Sequence, residues 1–397
     1  MQKNKITPLL YKSFLLLYVC FSCLAWGCTE KEQGQVQSAE PDSLSLHFEQ
    51  ELLIGDDGGI SQEPVLASPS EIRTDREGNI YIADTKLSAV QVFDADGNFL
   101  RSIGGAGGGP GEFGAINAIE INNKQALMTI DASNKRITHF SKTGEVLSNY
   151  NSAEGSVIWP QYFRQMDKGN FLILQKKREI PGIEDPEDLH IQSTMLHLYD
   201  STFTHLASFG HIDSLMDSPS DFTKIYTSTT NAGNFWSSEE GAVWYAPPIY
   251  AGRLYKFRKE ENGWTLAQTL RGQLLPEKPL ELDSDMQGTM AIVIYTDEGM
   301  ESGSAYMKSV SLGIFEMKDG GLIHLSSQLQ DGQRKTIAEV FDDEGTLKGV
   351  GQLEKFTFEK TVQEPLIADI WKDKADRFYI IDERGTPAVR IGRIAGL

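Results

Sequence analysis

The sequence predicts an all-β fold, a six-bladed β-propeller, from three observations. Residues 70–113 hold four short β-rich runs separated by Asp/Gly/Asn turns, and the pattern recurs at lower fidelity along the chain. The two ends of this region each leave an incomplete unit, and the two fragments complement each other. Four such runs form an antiparallel meander. A lone meander cannot bury both faces, so it implies a ring of similar ones.

Blade one runs through residues 70–75, 80–84, 89–94 and 99–104, with turns at 76–79 and 95–98. Blade two repeats its second strand at 126–131, its third at 136–140 and its outer turn at 142–145. Blade three is read at 162–166, 169–174, 195–199 and 204–210, and blade four at 234–237, 242–246, 253–257 and 264–271. Blade five is placed at 312–317, 322–326, 336–341 and 347–352. Blade six has three strands, 369–371, 378–382 and 388–391, and then the sequence ends at Leu397. Residues 46–55 resemble the outer strand 99–104 with no blade before them, so they are expected to complete blade six and remove a free sheet edge. The apolar run 290–297 could belong to a seventh blade; it is read as an insertion.

The wording of blade one resembles an NHL repeat. The likeness is carried by Gly78-Asn79-Ile80-Tyr81-Ile82-Ala83-Asp84, by Val90-Gln91-Val92-Phe93 and by the glycine-rich run 104–113. In such repeats the Asp after the second strand bonds backbone amides at the following turn, so Asp84 is expected to be structural. The glycine run matches the linker between such blades. It lacks the strand–loop–helix context of a phosphate cradle.

The first 28 residues are a different object. Lys3, Lys5 and Lys12 precede the apolar run 14–26, which has signal-peptide length. Leu24-Ala25-Trp26-Gly27-Cys28 resembles a bacterial lipobox, with Trp26 departing from the usual small residue. The expected organisation is a signal peptide at 1–27, a lipidated tether at 28–43 starting at Cys28, and a propeller domain at 44–397. Plain secretion and an uncleaved anchor are the alternatives. All three cysteines, Cys20, Cys23 and Cys28, lie in this leader, so the domain has no disulfide, thiol nucleophile or cysteine metal site. Removing the three lysines of residues 1–27 takes the net charge from −19 to −22. That balance opposes nucleic-acid binding, which needs basic phosphate contacts.

In a propeller the inter-blade links and the turns joining second to third strands share one face. The long connections 104–114, 176–194, 211–233 and 273–311 all map there, which makes it the expected recognition face. Trp159, Tyr162, Tyr226, Trp236 and Tyr250 lie in or beside it; Tyr162, Tyr226, Trp236 and Tyr250 are the candidate contacts for a glycan, peptide or protein. Packing between blades is the alternative role for Tyr162 and Trp236. Aligning inner strands places Ala118, Tyr162, Asn234, Gly313 and Asp369 opposite Glu71. Glu71, Asn234 and Asp369 are oxygen ligands of the kind that suits Ca²⁺. They also resemble the metal positions of lactonase-type propellers related to gluconolactonase, which would imply metal-dependent hydrolysis. Channel polar residues bonded around water are the other reading. An amidating-lyase-like zinc site would need histidines from several blades. The seven present have no zinc-motif spacing, and His139 and His197 read as ordinary third-strand residues.

The region 44–397 resembles the six-bladed β-propeller lipoproteins of Gram-negative envelopes. That resemblance implies a lipid-anchored protein of the outer membrane, monomeric in its domain, that binds a partner or small ligand and has no required cofactor. The enzymatic alternative is a Ca²⁺-type hydrolase, lactonase or lyase acting in the channel, and a structural envelope component is the third.

Overall fold

The computed structural model describes residues 40–55, 66–151, 162–166, 169–174, 194–211, 233–238, 241–273, 275, 280–283, 290–296, 299–359, 367–383 and 385–397. The chain divides into two compact units, Met1–Glu40 and Pro41–Leu397. The leader, its lipobox and Cys28 lie outside the described residues, as do Trp159, Tyr226 and most of the long connections.

The second unit is a six-bladed propeller. Blade one is Pro69–Thr74, Ile80–Asp84, Ala89–Phe93 and Phe99–Gly104, paired in that order. Blade two is Ile116–Ile121, Leu127–Asp131, Arg136–Phe140 and Val146–Asn151; blade three is Tyr162–Gln165, Phe171–Leu174, Thr194–Tyr199 and His205–His211. Blade four is Asn234–Ser237, Val243–Ala246, Arg253–Glu260 and Gly263–Arg271. Blade five, Ser309–Glu316, Leu322–Gln330, Gln333–Phe341 and Leu347–Gln352, has longer central strands than the sequence suggested. Blade six is Ile367–Lys372, Phe378–Asp382 and Ala388–Ala395, and its fourth strand is His47–Gly55 from the other end of the domain. His47–Gly55 runs antiparallel to Ala388–Ala395, from His47 against Ala395 to Gly55 against Ala388.

Two elements lie outside the four-stranded pattern of the blades. Asp42–Leu44, which straddles the boundary read between tether and domain, adds in parallel to the outer strand of blade five. Gly349 and Gly351 make this possible, since a Cβ on either would strike Leu44 or Leu46. The run read as an insertion is Met290–Thr296, which pairs with Gly299–Met307 and, through it, Leu280–Asp283 in a separate three-stranded sheet.

Period-2 alternation builds the core, because successive side chains leave a strand on opposite faces. Ile80 and Ile82 pack toward blade six, while Tyr81 and Ala83 of the same strand pack toward blade two. Every described apolar cluster is such a seam, one for each neighbouring pair of blades around the ring. A blade therefore has no solvated face, and its second strand reads as a continuous apolar run.

Local polar chemistry shapes the ends. At the short turns an Asp, Asn or Ser side chain accepts the amides two and four residues on: Asp75 from Glu77 and Asn79, Asp94 from Asp96 and Asn98, Ser141 from Thr143 and Glu145. Asp84 accepts from Leu87 at the following turn at 3.0 Å, and also from Ala67 and Ser68 of the incoming link at 2.7 and 3.1 Å. Asp131 does the same for Asn134, Gly114 and Ala115. These carboxylates tie each blade to the link that enters it. The glycine link of residues 104–114 wraps a cation: carbonyls of Gly108, Gly109 and Glu112 accept from the Arg136 guanidinium. Gly104 sits at φ +93, and a Cβ there would run into buried Phe113.

Candidate functional site

The innermost strand of a blade has one unpaired edge, and that edge faces the propeller axis. Its amides need partners once buried. Glu71 supplies one: its Oε2 accepts the Ile119 amide of blade two at 2.5 Å. Asp369, at the equivalent position of blade six, accepts the Ile72 amide of blade one at 3.0 Å. Asn234 of blade four reaches the next blade in the same sense, its Nδ2 donating to the Ser311 carbonyl at 3.2 Å. The three residues picked from the alignment therefore share a register and a direction.

Two residues further along each inner strand come Arg73, Glu120, Arg164, Trp236, Phe315 and Trp371. The Arg73 guanidinium donates to Glu71, to Glu120 at 3.3 Å and to Asp369 at 3.5 Å. Arg164 donates to Glu120 at 3.2 Å. Trp371 lies 4.9 Å from Arg73 and 4.8 Å from Arg164, and its ring is 5.7 Å from that of Trp236. Trp236 in turn meets Phe315 edge-on at 5.6 Å. Blades three and six are diametrically opposed, so contact between Arg164 and Trp371 crosses the axis. This layer plugs the channel with a charged half and an aromatic half.

Above the plug, Arg164, Asn234, Trp236, Gly313, Phe315 and Asp369 line a small cavity of about 10 Å³. That is room for roughly one water. Arg164, Asn234 and Trp236 are only partly buried, whereas Glu71 and Asp369 are buried. The Ser311 carbonyl can only accept, so the Asn234 atom facing it is the amide nitrogen, and the amide oxygen turns the other way.

Three buried carboxylates face two guanidinium groups here, which leaves an excess negative charge. Burial pushes Glu71 up to about 7; Arg73 pulls it down, but nearby Asp369 adds to the rise. Burial also raises Glu120, against the pull of Arg164 and Arg73. A carboxyl whose folded value lies above its unfolded one binds its proton more tightly when folded. The Glu71 contribution to stability is then fully present below about 4.5 and lost as pH rises through about 7. In urea titrations between pH 5 and pH 8, wild type minus Glu71→Gln is expected to shift in favour of wild type as pH falls. A pH-independent difference would remove the buried proton from this account.

The remaining sequence candidates sit as follows. Tyr162 begins the inner strand of blade three, and its side chain, like all of Tyr226, is outside the described set. Trp236 is part of the plug. Tyr250 is fully buried at the seam of blades four and five, its hydroxyl donating to Glu339 at 2.5 Å. A ligand touching Tyr250 would first have to part those blades. His197 and His205 both bond the Ser208 hydroxyl, at 2.8 and 2.7 Å, and His139 packs edge-on against Phe203. Among the described residues no three His, Cys, Asp or Glu side chains form a group that could hold a metal ion. As placed, Glu71 and Asp369 turn to Arg73 while Asn234 turns to Ser311.

Sequence reasoning missed Arg73, Glu120, Arg164 and Trp371. The signal was present, because stepping two residues from the aligned inner-strand positions lands on all four.

Residues 61–261 match the family DUF5128, described as a 6-bladed beta-propeller. No curated protein matches the sequence. Among solved structures, a member of the DUF4221 family from Bacteroides vulgatus is similar with TM-score 0.56 and 9% identity, over 89% of this chain and 99% of that one. A protein of unknown function from Bacteroides caccae gives TM-score 0.39 and 13% identity, over 72% and 86% of the two chains. The virginiamycin B lyase of Staphylococcus aureus gives 0.43 and 9%, over 84% and 97%. At these identities the likeness is one of fold.

Proposed function

The chain belongs to the DUF5128 family of six-bladed β-propellers, and from that premise we propose a lipid-anchored envelope protein that recognises a partner or small ligand at the end of the propeller where the inner strands begin. The observation that carries this reading is the plug. Arg73, Glu120, Arg164, Trp236, Phe315 and Trp371 meet across the axis, which supports binding at the mouth over passage through the channel. Arg164, Asn234 and Trp236 combine charge, amide and aromatic surface at that mouth, and such groups suit a polar ligand with a flat apolar face. The anchor rests on the apolar run and the lipobox-like Leu24-Ala25-Trp26-Gly27-Cys28. A multi-chain lipid, at ~0.8 kcal/mol per buried CH₂, would hold the domain firmly to a membrane.

Fatty-acid labelling followed by membrane fractionation tests the anchor. Wild type is expected to take up label and sediment with membranes, and Cys28→Ser to do neither. Equal labelling of the two would end the anchor reading. For the mouth, the full chain is melted against oligosaccharide and peptide panels beside Asn234→Leu, which should lose any shift that wild type shows. A ligand that shifts both equally binds elsewhere.

The metal-dependent alternative would require Glu71 and Asp369 to give up Arg73. Melting after chelation, with and without Ca²⁺, separates it. A cation at 100-fold over its Kd adds ~2.7 kcal/mol, and no shift leaves the trio as inter-blade clamps.

A further inference from the structure

A second polar cluster lies one seam away from the plug, and the binding reading makes no use of it. Ser311 lies near the start of the inner strand of blade five, and His324 and Glu339 follow on its second and third strands, paired with each other across the ladder. Ser311 Oγ is 3.1 Å from His324 Nε2, and His324 Nδ1 is 3.1 Å from Glu339 Oε2. Glu339 also accepts the Tyr250 hydroxyl at 2.5 Å and the Gln273 amide at 2.5 Å. Tyr250 covers the imidazole, with ring centres 4.2 Å apart. Gly272 allows the closure, because a Cβ there would collide with Tyr250 and Glu339.

The hydrogen-bond chain determines the tautomer. A carboxylate that accepts from a phenol and an amide is an acceptor toward His324 as well, so Nδ1 carries the hydrogen. Nε2 then presents its lone pair to Ser311, and the hydroxyl must be the donor. That is the connectivity of an activated serine: nucleophile to base, base to an orienting carboxylate. His324, Glu339 and Tyr250 have no exposure, and Ser311 keeps 6%. It is also the member nearest the mouth: its carbonyl holds the Asn234 amide, which lines the cavity with Gly313. The bulge between Ser311 and Gly313 takes Leu312 out of the ladder register, as the residue after the serine.

We propose that Ser311 is a nucleophile toward small, uncharged acyl esters, with His324 as its base and Glu339 as a positioning residue. The Ser311 hydroxyl proton passes to His324 Nε2 as Oγ bonds to the acyl carbon. The ester C–O bond then breaks, and the departing alkoxide takes that proton. Water repeats the sequence on the acyl-serine, releasing the acid and restoring the hydroxyl. Ser311 keeps only 6% exposure and the neighbouring cavity beside Asn234 has room for about one water, so bulky acyl groups are kept from the hydroxyl. Burial of the serine, its base and the orienting carboxylate disfavours charged substrates, which would lose their hydration.

The same four residues would also serve as a clamp between blades four and five, and the experiment separates the two roles. Purified full-length chain is treated with a small alkyl fluorophosphonate, which traps serines that have a base beside them. The expected result is one label per chain, mapped to Ser311, absent in Ser311→Ala and slowed ~100-fold or more in His324→Gln. Glu339→Gln should slow labelling more than its change in melting midpoint accounts for. In case Ser311→Ala does not fold, Ser311→Cys is treated with iodoacetamide with the fold intact and after unfolding. Wild type that takes no label, or an introduced thiol that reacts only after unfolding, would overturn the proposal and leave a clamp.

Discussion

Deleting residues 42–55 is expected to abolish cooperative folding of the propeller. The deleted segment supplies the fourth strand of blade six and a fifth strand on blade five. It buries Leu46, Phe48 and Ile54 in two seams, with Phe48 edge-on to Phe356 at 5.3 Å. Arg390 and Lys355 both donate to Gln50, and Arg393 and Arg377 pair with Glu51. Three buried side chains at ~1.5–3 kcal/mol each amount to roughly 5–9 kcal/mol. That rivals the ~5–15 kcal/mol that holds a typical domain together. The shortened chain also exposes the edge of Ala388–Ala395, a template for aggregation. Limited proteolysis and a circular-dichroism melt check this. A deletion variant with a sharp transition near that of wild type would mean that the ring closes without its N-terminal strand.

Replacing Arg73 with Met is expected to cost about 3–5 kcal/mol, the range for breaking one side of a buried ion network. Arg73 is 1% exposed and binds Glu71, Glu120 and Asp369 from three blades. Without it, three buried carboxylates face Arg164 alone. Protonation of Glu71 relieves part of this, so the loss should be smaller at pH 5 than at pH 8. Adding Glu71→Gln to Arg73→Met should recover part of the loss, because it removes one of the stranded charges. Urea midpoints for the two single variants and the double variant measure the coupling. A loss below about 1 kcal/mol, or strict additivity, would show that the plug is filled space and not a charge-balanced lock.

Blade one was legible almost residue for residue. Its strands pack on both faces, so Ile80-Tyr81-Ile82-Ala83 had to be continuously apolar, and its turns need Asp, Asn and Gly at set offsets. Blade five was vaguer because its buried strands carry Ser311, His324, Ser326, Gln328, Arg334 and Glu339, which read as surface on composition alone. Burial of Ser311, His324 and Glu339 is tolerated because they bond one another across neighbouring strands, a relation invisible until the strands are paired, and Gln328 donates to Ser326 along its own strand. The strand Asp42–Leu44 was missed for a similar reason: it is polar and short, and its place is set by glycines some 307 residues away, as Asp42 opposite Gly349 illustrates.

Glu71, Asn234 and Asp369 were found by counting from one blade to the next, and the repeat guarantees that they share a level. Counting could not say what they bond. Repeat periodicity, turn chemistry and the complementary end strands are properties of short segments, so the sequence alone determined six blades and their closure. The Arg73 network joins residues 296 apart, and the contact of Arg164 with Trp371 spans the axis. Charge balance and channel closure depend on distances through space between different blades, and only the assembled ring decides those.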